Sequence, residues 1–106
     1  MALSHEVAYT DTGTKLSVNL DPSISPFNAS VVCNLSSTGT YKLQYSLSGS
    51  DVSDAAAIWV DSANIPAGTT ATAVSNFMFP VSRCRLIIAA NGGTITLQVL
   101  QGYTNN

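Results

Sequence analysis

Apolar and polar residues alternate with a period of two in several short runs, and this alternation is the chain's main structural signal. In residues 15–20, Leu16, Val18 and Leu20 point one way while Lys15, Ser17 and Asn19 point the other. Residues 29–35 repeat the pattern with Val31, Cys33 and Leu35. Residues 41–47 give the clearest case, with Tyr41, Leu43, Tyr45 and Leu47 alternating with Lys42, Gln44 and Ser46. Further runs cover residues 57–61, 70–78, 82–90 and 94–101. Successive strand side chains point to opposite faces, so each run has one face for a core. No run sustains the 3.6-residue period of an amphipathic helix. The strand starts recur about every dozen residues, as in sandwiches and barrels. Turn-rich segments separate them: Asp21-Pro22-Ser23-Ile24-Ser25-Pro26, Ser48-Gly49-Ser50-Asp51 and Asn64-Ile65-Pro66-Ala67-Gly68. None reads as a domain linker. The pattern predicts an all-β, single-domain antiparallel β-sandwich over residues 1–106, jelly-roll-like, of about seven or eight strands. Residues 1–13 are expected to form an N-terminal arm. The last four residues, Tyr103-Thr104-Asn105-Asn106, are expected to be mobile unless assembly orders them.

Two turns yield registers. Ser37-Thr38-Gly39 fits a three-residue hairpin loop with glycine in the left-handed position, keeping Leu35 and Tyr41 on one face. Asn91-Gly92 is the strongest short hairpin signal. A two-residue type I′ turn there pairs Ile88 with Ile95, Leu86 with Leu97 and Cys84 with Val99. A one-residue slip would mix faces. On the opposite face the same register sets Arg83 beside Leu100 and Arg85 beside Gln98, with Ile87 next in line. Arg83, Arg85, Ile87 and Leu100 then form a partly apolar, weakly charged surface of the kind used in protein contacts. The competing expectation is that a second sheet or the N-terminal arm covers this face within the subunit.

Composition narrows the function classes. Hydrophobic residues make up 45% of the chain and charged residues 9%, which sets it apart from disordered sequences. Ser, Thr and Asn supply 33 residues, so the surface is built from hydroxyls, amides and backbone. With 106 residues, about two thirds of the chain's surface can be buried, enough for one core. The cations are Lys15, Lys42, Arg83 and Arg85 at a net charge of -2. Four scattered cations cannot supply the phosphate contacts that nucleic acid requires. No apolar run reaches the length of a membrane span. The start, Met1-Ala2-Leu3-Ser4-His5-Glu6-Val7, lacks the pattern of a secretory signal, so the chain is expected to act in its full form.

Candidate chemistry is sparse. His5 is the sole histidine, the chain contains no Gly-x-Ser-x-Gly elbow, and no enzymatic activity or cofactor is expected. Asp51, Asp54 and Asp61 flank Trp59 and supply oxygen ligands, but they match no calcium-loop motif. They read as solvated acids, and no metal site is assigned. Trp59 reads either as a core or interface residue between Ile58 and Val60, or as a stacking platform for a glycan. Phe77 and Phe79, before Pro80, are expected at the sandwich edge. Cys33 and Cys84 both fall in apolar strand patterns. They are either two buried thiols or a disulfide. The sequons Asn28-Ala29-Ser30 and Asn34-Leu35-Ser36 are no more than this composition produces by chance.

The order of short segments carries a resemblance. Pro26-Phe27-Asn28-Ala29-Ser30 opens a strand. Tyr41-Lys42-Leu43-Gln44-Tyr45-Ser46-Leu47 follows a small-residue turn, and then come Ile58-Trp59-Val60-Asp61 and a Thr-rich strand. Phe79-Pro80-Val81-Ser82-Arg83-Cys84-Arg85-Leu86 and Gly93-Thr94-Ile95-Thr96-Leu97-Gln98-Val99-Leu100-Gln101-Gly102 close the chain. This order resembles small β-rich virion structural proteins of tailed bacteriophages, of the capsid decoration (cement) or head-fibre type. It covers nearly everything after about residue 14. The resemblance implies a virion protein, made in the host cytoplasm, that binds the major capsid protein on the outer head surface, often as a homotrimer. The absence of a long arm or collagen-like stalk weakens the fibre variant. The alternatives are a carbohydrate-binding adsorption module centred on Trp59 and a tail or baseplate component.

Overall fold

The alternating runs form strands, some of them only two residues long. The computed structural model describes residues 2–23, 27–49 and 51–102. It contains β1 (Ala2–Tyr9), β2 (Gly13–Thr14), β3 (Val18–Asn19), β4 (Ala29–Leu35), β5 (Gly39–Ser46), β6 (Val60–Asp61), β7 (Ala73–Phe77), β8 (Arg83–Asn91) and β9 (Ile95–Gly102). Sheet A has the order β1-β9-β4-β7. In sheet B, β8 pairs with β5 on one side and with both β2 and β3 on the other, and β6 extends beyond β5. All pairings are antiparallel. Counting β2 and β3 as one interrupted strand gives two four-stranded sheets in jelly-roll order. The expected fold class is therefore the observed one.

The connections differ from the expected ones. Except from β2 to β3 and from β5 to β6, the chain changes sheet at every connection. β8 and β9 do not form a hairpin: β8 pairs with β5, and β9 lies between β1 and β4 in the other sheet. Only Gly13 and Gly68 among the described residues have positive φ, so Asn91-Gly92 is not a type I′ turn. It is a corner between sheets, built by close approach. The Gly92 N–H donates to Thr38 O at 2.8 Å, and a Cβ on Gly92 would stand 2.3 Å from Thr38 Oγ1. Asn91 Nδ2 donates to Tyr9 O and Asp11 O, tying the corner to the β1–β2 connection. Likewise β4 and β5 sit in different sheets, and Gly39 is not left-handed.

The first residues are also corrected. Residues 2–9, expected within an arm, pair with β9 in unbroken register from Ala2↔Gly102 to Tyr9↔Ile95. The physical reason is the short alternation Glu6, Val7, Ala8, Tyr9, which half-buries Val7 and Tyr9 on the inner side. The expectation for residues 103–106 lies outside the described residues, as does that for Ser25-Pro26.

The core fills the space between the sheets. Val31, Cys33, Leu97 and Val99 come from sheet A, and Leu43, Cys84, Leu86 and Ile88 from sheet B. Each fully buried Leu or Ile contributes about 1.5–3 kcal/mol relative to exposure. Tyr45, Phe77 and Phe79 close one edge, with ring centroids 5.2–5.9 Å apart. The accessible area, 5625 Å², matches the roughly 5,600 Å² expected of a folded chain of this mass. Cys33 and Cys84 are free and fully buried. Burial pushes both thiols up to about 12, and for Cys33 the nearby Cys84 adds to the effect. The thiolate is the reactive form. A thiol-specific disulfide reagent at pH 8 should therefore leave both cysteines unmodified in the native protein and titrate both in denaturant. Rapid reaction of either native thiol would contradict this packing.

Candidate contact surfaces: a strapped face and an open face

A sandwich has two outer faces, and here they differ in kind. On sheet B the outward residues are Lys42, Gln44 and Ser46 of β5 and Arg83, Arg85 and Ile87 of β8. The register sets Lys42 opposite Ile87, Gln44 opposite Arg85 and Ser46 opposite Arg83. Residues 47–49 and 51–59 fold back over this face as a strap. Arg83, at 6% exposure, reaches into it: Nη1 donates to Asp54 Oδ1 at 2.8 Å and Nη2 to Gly49 O at 2.7 Å. Ser17 donates to the same carboxylate through Oγ (2.9 Å) and its backbone N–H (3.3 Å). Trp59 Nε1 donates to Asp54 O at 2.9 Å, and the indole ring covers Arg85, whose guanidinium carbon lies 3.9 Å from the ring centroid.

Beside this clasp a second network runs across the sheet. Arg85 Nε donates to Gln44 Oε1 (3.0 Å), Gln44 Nε2 donates to Asp61 Oδ1 (2.9 Å), and Lys42 Nζ lies 3.3 Å from the same carboxylate oxygen. The network follows from the register, since Gln44 stands between Arg85 on β8 and Asp61 on β6. The electrostatics agree. Burial pushes Asp54 up, but hydrogen bonds from Arg83 and Ser17 outweigh it and hold its carboxyl below the ordinary range. Hydrogen bonds from Gln44 and then Lys42 lower Asp61. Burial against the indole lowers Arg85, offset in part by Asp54. Asp54 and Asp61 thus hold the strap and the sheet face, and among the described residues no three His, Cys, Asp or Glu side chains converge as a metal site. A cleft of about 850 Å³ opens beside the clasp, with Ser17, Asn19, Leu47, Ser48 and Pro80 in its walls and Arg83 with Asp54 at its floor.

Among the described residues, none folds over the outer face of sheet A in this way. Ser4, Glu6 and Ala8 of β1, Thr96, Gln98 and Leu100 of β9, Ser30, Val32 and Asn34 of β4, and Val74 and Asn76 of β7 form it. Leu100 is 54% exposed and Val74 60%. Val74 pairs with Val32, and Leu100 lies diagonally from Val32 across the β4–β9 pair, so the three form an apolar patch, while the Val74–Val32 row continues through Gln98 to Glu6. Its charge is Glu6, which accepts a hydrogen bond from Gln98 Nε2 at 2.5 Å. The result is a broad face of hydroxyls, amides and aliphatic groups.

The four residues expected to share one contact face are therefore divided. Arg83, Arg85 and Ile87 lie in one row of β8 on sheet B, under or beside the strap, while Leu100 faces out from sheet A on the opposite side of the sandwich. The cause is the sheet change between β8 and β9. Val32 and Val74 were missed. Val32 was legible as an apolar residue on the polar side of the 29–35 run, whereas Val74 needed the pairing of β7 with β4. Trp59 is half-buried, with one ring face on Arg85 and its N–H committed to the strap.

Fold and surfaces together define a jelly-roll domain with one sheet face strapped and the other open. No protein-family model matches the chain, and no curated protein matches it. Among solved structures it is similar to a Bacillus protein described under the words "Bacillus endospore appendages form a novel family of disulfide-linked pili". The TM-score is 0.40 at 13% identity, over 97% of this chain and 89% of that one. A likeness at this level transfers no function.

The clasp makes two predictions. Arg83→Ala leaves Asp54 without its cation and should lower stability by about 2–3 kcal/mol in urea unfolding, short of a fully buried pair because Asp54 is 32% exposed. Asp54, with its carboxyl lowered in the fold, stabilises the protein fully above its unfolded value, near 3.8, and loses that contribution as the pH falls through the lower folded value. The urea midpoint should therefore drop on acidification from about pH 5 towards 2, and drop less in Asp54→Asn.

Proposed function

We propose that this chain is a structural virion protein, a decoration (cement) protein that lies on the outer surface of a tailed-phage head and binds the major capsid protein as a homo-oligomer. The observation that carries the reading is the outer face of sheet A. It joins an apolar patch, Leu100, Val32 and Val74, to hydroxyl and amide groups with little charge. Such a composition suits static, repeated contact between protein surfaces, where aliphatic groups exclude water and amides fix register. The order of sequence segments that resembles phage head proteins supports the same reading. The fold alone does not select it, because jelly rolls serve viral capsids and lectins alike. For Trp59, the contacts to Arg85 and Asp54 favour a structural role over a glycan platform.

Undecorated capsids should co-sediment with the purified protein and resist heat better when it is bound. Leu100→Asp and Val74→Asp should each weaken that binding by about tenfold or more, since each introduces an unpaired charge into a contact. Both positions are exposed, so the folded chain should keep its thermal midpoint within a few degrees. Failure of the wild-type chain to bind capsids across a range of salt would overturn the proposal.

A further inference from the structure

The free edge of sheet A has a geometry that specifies its own partner. β1 is the outermost strand of sheet A, eight residues long, and among the described residues it pairs on one side only. The other outer strands are shorter: β7 has five residues and β2, β3 and β6 have two each. Long free edges are normally blunted by lysine, proline or a bulge. β1 has none of these; its register is unbroken, and its one formal charge, Glu6, is drawn towards Gln98.

Backbone direction can be read from two flanking bonds. Gly102 N–H donates to Asn28 O at 3.3 Å, and Ser36 N–H donates to Thr94 O at 3.0 Å. Both bonds run between β9 and the β4 side. Alternate strand residues turn their N–H and C=O to opposite sides. Thr96, Gln98 and Leu100 therefore bond towards β4, and Ile95, Leu97, Val99 and Gln101 towards β1. The β1 partners of the second set are Tyr9, Val7, His5 and Leu3. Ala2, Ser4, Glu6 and Ala8 are left with their N–H and C=O groups on the free edge.

We infer that β1 pairs with β1 of a second copy of this chain about a two-fold axis normal to sheet A and centred on His5. Residues opposite one another across such a pair share a sheet face. Two registers then keep seven residues of each strand paired. One sets Glu6 against Glu6 of the second copy, and like charges directly opposite are destabilising. The other sets Ser4 against Glu6 and Ala2 against Ala8, so that every free-edge N–H and C=O meets a partner in narrow pairs exchanging two hydrogen bonds each. His5 faces His5 of the second copy in a wide pair. The axis also joins the two grooves beneath β1, each of about 440 Å³ with Val7, Tyr9 and Leu16 in its walls. Leu16 is 84% exposed in the single chain and lines this groove with Val7, Tyr9 and Val18, beside Asp11, Lys15 and Ser17. The product is a continuous eight-stranded sheet with one enlarged outer face. It is a dimer, in place of the trimer implied by the phage resemblance. It does not depend on the capsid reading, which uses the broad face and not the edge.

Light scattering on the full chain should give twice the 11.0 kDa chain mass. Wide antiparallel pairs hold Cα atoms about 4.5 Å apart, within disulfide range. His5→Cys under mild oxidation should therefore form a covalent dimer about tenfold more readily than Val7→Cys, whose counterpart lies two positions off the axis. Cys33 and Cys84 are buried and should give no background. Glu6→Pro removes an N–H that points to the free edge and spares the ladder to β9, so it should give a monomer with an unchanged circular dichroism spectrum. Ser4→Pro serves the same purpose if Glu6→Pro does not fold. A monomeric or trimeric wild type, equal crosslinking of the two cysteine variants, or a folded proline variant that stays dimeric would overturn the inference.

Discussion

The structure depends on one constraint: the apolar rows of two sheets must close on each other, because no single sheet here can bury its own inner face. Leu86 and Ile88 on β8 and Ile95 and Leu97 on β9 are all nearly or fully buried, yet the two strands are not paired. They meet across the core instead of side by side. Every corner then carries the chain from one sheet to the other, and the corners need close backbone approach. That is where Gly92 sits, against Thr38. Burial also sets the state of the thiols, since Cys33 and Cys84 lie in opposite sheets within the same dry layer.

The same constraint distributes the few charges. With the inner faces apolar, Lys42, Arg83 and Arg85 all fall on the outer face of sheet B. Each finds a polar or aromatic partner there: Asp61, Asp54, and Gln44 with Trp59. The strap, residues 47–49 and 51–59, is held because Asp54 accepts from both Arg83 and Ser17. The chain's low charge is thus spent largely on internal fastening. Sheet A keeps a face with little charge, and this asymmetry is what turns a generic jelly roll into a candidate assembly subunit.

Buried polar groups follow the same economy. Gln101 is fully buried, and its side-chain amide mimics a strand neighbour: Oε1 accepts from Asp21 N–H at 2.8 Å and Nε2 donates to Asp21 O at 2.7 Å. Tyr41 buries its ring and sends its hydroxyl to Ala71 O at 2.7 Å. Among the described residues no buried side-chain nitrogen or oxygen lacks a partner, as a native core requires. Gln101 was not legible as a core residue, because its type alone suggests solvent, whereas its position, two beyond Val99 on an alternating strand, points inward.

Alternation by itself determined the fold class, the burial of both cysteines and the inward rows of β3, β4, β5, β8 and β9, since a period of two is a local property of the backbone. Leu16 and Leu47, placed in those rows by the pattern, are exposed. Alternation could not decide which strand lies beside which. A hairpin and a pair of strands facing each other across the core bury the same residues, so Asn91-Gly92 reads identically for both. Only the tertiary structure separated Leu100 from Arg83, Arg85 and Ile87, folded the strap that carries Trp59 over Arg85 and made residues 2–9 an edge strand. Those outcomes rest on contacts between residues tens of positions apart, such as Asn91 with Tyr9 and Arg83 with Asp54, whose energies no local pattern encodes.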